Sequence, residues 1–594
     1  MRIRMSRARM GASRITAVRC LVPVLFRATC KQSLAVLFRA TRKQSLAAVV
    51  AIGLIATGCG TDDSDAGKGL SDALGTTSDI NPKDVGELRE GGNLRLATTT
   101  FPANWNTLSN DGNDGEIADI ERPMMPRSFT TDAAGELSVN KDYFTDVALT
   151  GTNPQQVTYT INPKAVWSDG TPITWEDIRS QANALSGADK RFLIAITNGF
   201  EFVDKVERGV DDRQAVLTFK HPYAEWRGQF AGNASLFPKS VTADPDSFNN
   251  SLVNAMGPSA GPFVVQSTDR SQGRIVLGRN PKWWGATPKL DTITYSVLDH
   301  PAWVGALQNN ELDLVRLNSI DEVKTVRNTQ GLALRRAPGN RWRHITFNGA
   351  PGSILADPQV RVAISKAIDR QGIATATQNG LVENPKPLNN HIFLQGQDGY
   401  RDNSLGFDPA AAASELDALG WKLNGDVREK DGRKLIIRDV MYNDPLWVQI
   451  AQIVQQNLDR IGVKLTIDTK PGAGYFTDVI QPGDFDAAQF IFQGDAFPFG
   501  SIRQIYRYDP NDLQGNYGRI GSQELNDLID RTLAELDPKK AIEMANEVDR
   551  KVFEEGHSLP LTQSDGSFGV RADLANIGSP GLATYDYTTI GFLK

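Results

Sequence analysis

The sequence predicts an α/β protein built from more than one subdomain. Strand patterns such as VTYTI (157–161) and RIVLGR (274–279) alternate along the chain with amphipathic helical patterns. The chain has 594 residues, whereas a single hydrophobic core stops growing beyond about 250–300 residues. Because alternating strands and helices favour sheets flanked by helices, we expect mixed sheets in two or three subdomains.

The N-terminal segment predicts export. After Arg42 and Lys43 comes an apolar run of about a dozen residues, the length of a secretory signal core and too short to span a membrane. The run ends in Ala-Thr-Gly followed by Cys59. Small residues directly before a cysteine resemble a bacterial lipobox, so we expect residues 1–58 to be a leader and Cys59 to be lipidated. The alternative is an ordinary signal peptide with an accidental cysteine.

The segment after the cysteine predicts a spacer. Residues 59–87 are rich in Ser, Asp, Gly and Thr, so we expect a flexible tether with a reach on the order of 30 Å. The leader holds 11 of the 64 basic residues and no acidic residue, which leaves a net charge of −17 on the rest of the chain. Such a surface repels phosphate backbones and argues against nucleic-acid binding.

Regular elements are predicted along the body in order. A helix over 445–462 has an apolar stripe at helical spacing and Gly462 at its C-terminal end, and VKLTID follows it as a strand. The remaining patterns are strands over 292–298 and 434–442 and helices over 357–374 and 408–420.

One stretch, residues 157–178, predicts a strand, a turn and a helix in succession. The turn is WSDGTP, in which Asp-Gly supplies the reversal. Thr174 is placed to cap the following helix, and Glu176 and Asp177 lie near its positive end. The stretch therefore identifies local structure and not a ligand site.

Catalytic signatures are missing from the sequence. It contains no G-x-x-x-x-G-K-[ST] phosphate loop and no H-E-x-x-H zinc helix. The one match to G-x-S-x-G is GPSAG, but Pro258 precedes Ser259 and a strand pattern follows, so we interpret Ser259 as a turn residue. We expect no enzyme, no cofactor and no metal site, because the histidines are widely separated. These are His221, His300, His344, His391 and His557.

Six segments in order resemble a known family. They are similar to the bacterial ABC-importer solute-binding proteins of the oligopeptide/dipeptide/nickel class (family 5), with the oligopeptide-binding lipoproteins as the nearest likeness. The matching segments are residues 91–108, 157–178, 261–285, 307–315, 347–370 and 407–421.

The resemblance implies a two-lobed, periplasmic-binding-protein-like clamp of type II with an extra subdomain. Lobe I would comprise residues 88–135, 257–341 and 560–594, with the extra subdomain at 136–256. Lobe II would span 342–559. Two crossings between the lobes would form a hinge that closes on the ligand.

The resemblance also implies ligand residues in lobe II. Relatives of the oligopeptide branch hold an extended peptide by main-chain hydrogen bonds, as an added strand. In FDAAQFIFQGDAFPFGSI the family's ammonium-binding aspartate corresponds to Asp495, with Phe492 and Gln493 as main-chain partners. The motif departs from the family, because Ala496 replaces an aromatic residue and Pro498 comes one place early. Without the resemblance, Asp495 reads as a loop or helix-cap carboxylate.

Across the cleft, the resemblance points to the loop after the first strand. Asp111, Gly112 and Asn113 would line the ligand, although the same segment reads as a plain surface loop. Trp447 and Tyr442 are aromatic candidates for side-chain pockets, or else core residues.

The prediction is a monomeric, lipid-anchored receptor on the extracytoplasmic side of the membrane. It would capture oligopeptides and pass them to ABC permease subunits. One alternative keeps the fold but changes the cargo to a glutathione-like peptide, heme, a nickel chelate or an oligosaccharide. Another is a surface-anchored hydrolase or a signalling receptor domain.

Overall fold

A computed structural model describes residues 78–594, except for residues 196, 198, 233, 383, 473 and 495. The predicted leader, Cys59 and Asp495 lie outside the described residues. Among the described helices, none has the length and apolar character needed to cross a membrane.

The strands of the described residues are numbered here in chain order. They are β1 (Asn93–Thr98), β2 (Phe129–Thr131), β3 (Leu137–Val139), β4 (Phe144–Thr152), β5 (Gln155–Ile161), β6 (Val203–Arg208), β7 (Gln214–Phe219), β8 (Phe263–Asp269), β9 (Arg274–Arg279), β10 (Thr292–Val297), β11 (Leu314–Arg316), β12 (Leu332–Arg336), β13 (Arg341–Phe347), β14 (Lys422–Asn424), β15 (Val427–Lys430), β16 (Arg433–Lys434), β17 (Ile436–Tyr442), β18 (Lys464–Lys470), β19 (Ala487–Gln493), β20 (Ser558–Gln563), β21 (Ser567–Arg571), β22 (Leu574–Ala575) and β23 (Gly591–Phe592).

The α-helices are numbered in the same way. They are α1 (Gly115–Glu121), α2 (Trp175–Ala184), α3 (Lys239–Thr242), α4 (Pro245–Asn250), α5 (Trp303–Gln308), α6 (Ile320–Arg327), α7 (Pro358–Ala367), α8 (Arg370–Gln378), α9 (Pro409–Ala418), α10 (Pro445–Asp459), α11 (Gly500–Tyr506), α12 (Gln523–Ala534) and α13 (Pro538–Glu554).

The sheets confirm the predicted α/β class. A five-stranded mixed sheet has the order β18-β17-β19-β13-β20, and a four-stranded sheet has the order β1-β10-β9-β8. A second four-stranded sheet, β4-β5-β7-β6, is antiparallel, and a three-stranded sheet has the order β11-β21-β12. The predicted segment 136–256 contains the β4–β7 sheet, and most of the five-stranded sheet lies within 342–559. The segment boundaries themselves remain predictions.

Helix α10 shows how the sequence pattern produces the five-stranded sheet. Its apolar stripe is buried against the sheet, and the helix connects the parallel strands β17 and β18. Asp444 caps its first turn by accepting a hydrogen bond from the Leu446 amide at 2.9 Å. Gly462 has φ +75°, the left-handed conformation that glycine adopts without steric cost, so the chain can turn into β18.

One predicted helix was wrong in its extent. The pattern over 357–374 predicted one continuous helix, whereas the structure has α7 and α8 with a break at Ile368, which is extended at φ −92° and ψ 116°. The carboxylate of Asp369 accepts from the Gly372 amide at 2.8 Å, and the Asp369 amide donates to the Asn457 side chain at 2.7 Å. A second N-cap, supported by a tertiary contact with α10, therefore interrupts the helical pattern.

The described part of the predicted tether packs against the body. Asp79 forms an antiparallel bridge with Ser579, and its carboxylate accepts from the Arg336 amide at 2.9 Å. Asn81 donates to the Leu574 carbonyl at 3.0 Å. The folded body therefore begins no later than Asp79, earlier than the end of the tether drawn at residue 87.

Candidate functional site

A cavity of about 250 Å³ lies where helix α1, the chain entering β13 and the C-terminal segment meet. Its walls carry side chains from α1 and β11, the segment 338–341, the end of β19, and residues 577–587. Since one water molecule needs roughly 10–15 Å³ of such volume, the cavity is large enough for many water molecules. Apolar walls from Leu96, Phe129 and Leu582 alternate with charged groups, which is the composition of a small-molecule or peptide site.

Helix α1 places two carboxylates at the cavity. Asp114 caps the helix by accepting from the Glu116 amide at 2.7 Å. The Glu116 carboxylate accepts from the Thr98 hydroxyl at 2.8 Å and the Thr99 amide at 2.6 Å, which joins α1 to the end of β1. Asp119 lies one turn further along the same face. These hydrogen bonds therefore hold the Glu116 carboxylate against the end of β1, whereas Asp119 faces the cavity.

Three arginines converge on Asp119. One of its carboxylate oxygens accepts from Arg122 Nε at 3.0 Å. The other lies 3.3 Å from Arg341 Nη2 and 3.8 Å from Arg316 Nη2. Burial would raise the pKa of Asp119, but the three guanidiniums outweigh burial and lower that pKa below its usual value. Asp119 is therefore ionised at neutral pH.

Four arginines and two carboxylates are among the described residues that line this cavity. Burial lowers the pKa of Arg341 to about 10, and the positive charge of Arg316 adds to the shift. Burial also lowers the pKa of Arg127 to about 10; its guanidinium donates to the Gly232 carbonyl at 2.9 Å. Both side chains remain protonated at neutral pH.

Strand β19 has an open edge beside the cavity. It pairs along its whole length with β13, but with β17 only at Ala487 and Ala488. Where β17 and β19 diverge, the Tyr475 hydroxyl lies 2.9 Å from the Val440 carbonyl oxygen and 3.0 Å from that of Gln489. Beyond that point, the described residues place no strand on the β17 side of β19.

The alternation of main-chain groups decides which residues face that open edge. The Gly494 amide donates to the Asn340 carbonyl at 2.7 Å, so residue 494 faces β13, and residue 492 does so too. The Gln489 carbonyl faces the Tyr475 side, so residues 491 and 493 share that orientation. Gln493 therefore presents its main chain to the open edge, together with Ile491, and its role as a ligand partner stays a prediction. The main chain of Phe492 is turned towards β13, and its role as a ligand partner also stays a prediction.

The structure brings three predicted regions together near Gln493. This residue lines the cavity, and a Cβ atom at Gly115 would lie 3.2 Å from its Oε1 atom. Burial raises the pKa of Tyr442, and the negative charges of Asp114 and Glu116 raise it further. The start of α1, directly after the 110–114 loop, therefore contacts the end of β19.

The other predicted residues lie off the cavity wall. Asp111 and Asn113 are exposed, whereas Gly112 is buried with its amide 3.2 Å from the Ser109 carbonyl. Trp447 lies on α10 and is buried in the core, with its ring 5.9 Å from the Arg343 guanidinium. This position agrees with the alternative that Trp447 is a core residue. Both Gln493 and Ala496 line the cavity, and Asp495 lies outside the described residues.

Two of the five histidines, His391 and His557, come together in the core. His391 and His557 both pack on Tyr506, with ring centroids 5.6 and 5.0 Å away. Burial lowers the pKa of His557 to about 3, and repulsion from His391 contributes. His391 Nδ1 lies 2.8 Å from an Asp549 oxygen. Among the described residues there is no group of three or more His, Cys, Asp or Glu side chains able to hold a metal ion.

Sequence reasoning missed the arginine cluster. Asp119 and Arg122 stand three residues apart, which is ordinary helix spacing, so the sequence contains no signal that distinguishes them. Arg316 and Arg341 come from different strands, and only the tertiary structure places them at Asp119.

Comparison with known proteins identifies the family. A family model described as "Bacterial extracellular solute-binding proteins, family 5 Middle" matches residues 149–512. The chain belongs to family 5 of the bacterial extracellular solute-binding proteins. This confirms the resemblance predicted from the six segments.

Relatives and solved structures agree with this membership. The oligopeptide-binding protein OppA of Mycobacterium bovis is 55% identical over 524 residues, which is 88% of each chain. A periplasmic EDTA-binding protein, EppA, superposes with a TM-score of 0.78 at 24% identity, covering 88% of this chain and 99% of that chain. The oligopeptide-binding protein AppA of Bacillus subtilis, solved with a nonapeptide, gives 0.73 at 18% identity, covering 85% and 100%.

Family membership confirms two predictions. The fold is that of the two-lobed periplasmic binding proteins. The family consists of extracytoplasmic solute-binding proteins and not of enzymes, so the predicted lack of enzymatic activity is also confirmed.

Proposed function

We propose that this protein captures oligopeptides outside the cytoplasm, between two lobes that close on the peptide, and delivers them to an ABC permease. The observation that carries the proposal is the open edge of β19 beside a cavity lined by polar and apolar groups. The 55% identity to a protein named for oligopeptide binding supports the choice of cargo.

Binding is proposed to use the peptide main chain. An extended peptide lying along β19 would pair with the outward main-chain groups of Ile491 and Gln493, in the manner of an added strand. Each neutral hydrogen bond contributes about 0.5–1.5 kcal/mol whatever the side chain. This geometry would allow one site to accept many sequences.

Asp495 is proposed to bind the ammonium group of the peptide. The cavity residues Gln493 and Ala496 lie on either side of it in the sequence. An ammonium group bound by Asp495 would therefore place the amino terminus of the peptide at the end of β19. A hydrogen bond between charged groups contributes about 1.5–3 kcal/mol, which is enough to orient the peptide.

Backbone methylation of the ligand tests the main-chain proposal without altering the protein. We expect N-methylation of single amides along a pentapeptide to weaken binding at alternate positions by about tenfold, because only every second amide of an added strand faces β19. Titration calorimetry would measure this. Equal affinity for all methylated peptides would contradict strand addition.

The substitution Asp495→Ala tests the ammonium contact. We expect it to weaken binding of peptides with free amino termini by about 2 kcal/mol or more while leaving the unfolding temperature unchanged. The same peptides with acetylated amino termini are the matched control, since they carry no ammonium group. If the variant binds both sets as the parent does, the assignment of Asp495 fails.

Lipid attachment at Cys59 is proposed to keep the receptor beside its permease. Eighteen residues separate Cys59 from residue 78, where the described chain begins, and a flexible segment of that length reaches roughly 25 Å. We expect Cys59→Ser to move the protein from the membrane fraction to the soluble fraction. Metabolic labelling with a fatty acid would separate lipidation from other membrane association.

A further inference from the structure

The chain passes between the three-stranded and the five-stranded sheet through two short connectors. All strands of the five-stranded sheet lie within residues 341–563, whereas β11, β12 and β21 lie outside that range. Residues 337–340 and 564–566 therefore connect the two sheets, and they run side by side, because the Gly339 amide donates to the Ser564 carbonyl at 3.0 Å. A rotation of one sheet relative to the other would bend the chain at these connectors. Helices α11 and α12 lie within 341–563 and would move with the five-stranded sheet.

The β4-β5-β7-β6 sheet is attached to the other side of the connectors. Its four strands and the strands of the β1-β10-β9-β8 sheet all lie outside 341–563. The Ser168 amide, after β5, donates to the Ser259 carbonyl, before β8, at 2.6 Å. Trp284 Nε1, after β9, donates to the Asp142 carbonyl, before β4, at 2.8 Å. A rotation at the connectors would therefore leave the β4-β5-β7-β6 sheet in place on its neighbouring sheet.

Two contacts of the β4-β5-β7-β6 sheet are made with the ends of α11 and α12. In the segment after β7, the Ala224 amide donates to the Leu533 carbonyl, in the last turn of α12, at 2.7 Å. The neighbouring Glu225 carboxylate accepts from the Phe499 amide, directly before α11, at 3.0 Å. Helix ends leave main-chain groups without partners inside the helix. The contacts therefore satisfy groups of α11 and α12 with residues from the other side of the connectors.

An ion pair joins the same two sides. Glu201, two residues before β6, has its Oε1 atom 2.8 Å from Arg503 Nε on α11, and the two side chains are 14% and 25% exposed. Arg503 also donates to Asp530 on α12 at 2.7 Å, and its guanidinium lies 5.4 Å from the Phe202 ring. Burial raises the pKa of Glu201, and the charge of Arg503 opposes that rise. Removing one partner would leave the other charge half-buried and unpaired for as long as the two sides stay together.

Resting on the proposed closure of two lobes, we propose that Glu201, Ala224 and Glu225 form a latch that holds α11 and α12 in the closed state of the receptor. On opening, rotation at the connectors would carry α11 and α12 away from these three residues, so the latch contacts belong to the closed state alone. Contacts that one state makes and the other lacks shift the population towards the first. The latch therefore raises the closed fraction of the peptide-free protein and slows the release of a bound peptide.

A distance measurement on the peptide-free protein tests the latch. Nitroxide labels at Asp204→Cys on β6 and Asp527→Cys on α12 stand on either side of it, and both positions are exposed. The labelled protein is the full chain with Cys20→Ser, Cys30→Ser and Cys59→Ser, so that only the introduced thiols react. Double electron–electron resonance is expected to show a short-distance population in the parent, which opening of the lobes would convert to longer distances.

Variants assign that population to the latch. We expect Glu201→Gln and Glu225→Ala each to reduce the short-distance population at least about twofold, because each removes one latch contact. Glu225→Gln keeps an acceptor for the Phe499 amide and should retain the parental distribution. Arg208→Gln is the matched control, because Arg208 pairs with Asp212 at 2.7 Å within the same sheet region. Glu201→Gln and Glu225→Ala break separate contacts, so one folded variant suffices. If every folded variant keeps the parental distribution, the proposal is overturned.

The release of a peptide tests the consequence for binding. We expect penta-alanine to leave Glu201→Gln and Glu225→Ala about three- to tenfold faster than the parent, with association rates within about twofold. Stopped-flow fluorescence with a labelled penta-alanine would measure both rates. Equal release rates would overturn the effect of the latch on the bound state. If the parent binds no peptide, the proposed function fails, whereas the distance measurement still decides on the latch.

Discussion

The imidazole of His344 lies parallel to the ring of Phe492, with centroids 4.2 Å apart and 3° between the planes. The two residues stand on adjacent strands, β13 and β19, next to the open edge. Phe492 also contacts Trp342 and Phe490, at centroid distances of 5.8 and 5.3 Å. This aromatic cluster fixes β19 against β13 and so holds the opposite edge of β19 in place for a ligand.

Removing the Phe492 ring should destabilise this sheet. We expect Phe492→Ala to lower the free energy of unfolding by about 2–4 kcal/mol, since a half-buried ring with three aromatic neighbours is lost. Urea denaturation would measure it. Phe407→Ala is the control, because that ring is half exposed and its loss should change stability by less than about 0.5 kcal/mol. Equal effects of the two substitutions would contradict the role given to the cluster.

The hydroxyl of Tyr475 should stabilise the point where β17 and β19 separate. Tyr475→Phe leaves the carbonyls of Val440 and Gln489 without this donor, so we expect a loss of about 1–3 kcal/mol in unfolding free energy. The matched control is Tyr442→Phe, whose hydroxyl has no hydrogen bond to a described residue. We expect that control to stay within about 0.5 kcal/mol of the parent. A Tyr475→Phe variant as stable as the control would argue against the bridge.

Gly112 should tolerate no side chain. A Cβ atom at this position would lie 2.2 Å from the Asn106 carbonyl oxygen, so the backbone would have to move. We expect Gly112→Ala to lower the unfolding temperature, with a cost of about 1–3 kcal/mol, and to shift the neighbouring 110–114 loop. Gly406→Ala serves as the control, because a Cβ atom there meets no atom within 4 Å. Similar unfolding temperatures for the two variants would contradict this reading.

Glu121 should make stability depend on pH. Glu121 is the last residue of α1, and its buried carboxyl group accepts a hydrogen bond from the Thr107 hydroxyl at 2.8 Å. Burial raises its pKa to about 8 from an ordinary value of about 4.5. The folded state therefore keeps a proton that the unfolded chain releases. Between these two values, this group lowers the free energy of unfolding as pH rises, by on the order of 1 kcal/mol per pH unit.

The substitution Glu121→Gln removes that titration while keeping a hydrogen-bond acceptor for Thr107. We expect the variant to gain stability relative to the parent as the pH rises from about 4.5 to 8. Denaturation curves at several pH values would show it. Parallel stability profiles for parent and variant would mean that Glu121 does not carry the proton.

Much of the local structure could be predicted from the sequence. Hydrophobic alternation located β9 and β17, and the Thr174 cap and Glu176 position marked the start of α2. These signals are local, since they depend on residues within one turn or one strand. The break between α7 and α8 could not be predicted in this way, because a side chain from α10 supports it.

The orientation of the main chain at the candidate site could not be predicted from the sequence. Phe492 and Gln493 were both named from the family resemblance, but which of them faces the open edge depends on the register between β13 and β19. A shift of register by one residue would exchange which main-chain groups face the open edge. No single-strand pattern contains that information.

By itself, the sequence determined the α/β class, the family and the helices and strands that hydrophobic spacing and capping residues define. Only the tertiary structure decided that Asp119, Arg122, Arg316 and Arg341 share one cavity and that β19 is open beside it. The physical reason is the distance along the chain over which each kind of interaction acts. Capping and periodicity act over a few residues, whereas a charge cluster forms between residues such as 119 and 341, which the sequence separates widely and only the packing of sheets and helices brings within 3.3 Å.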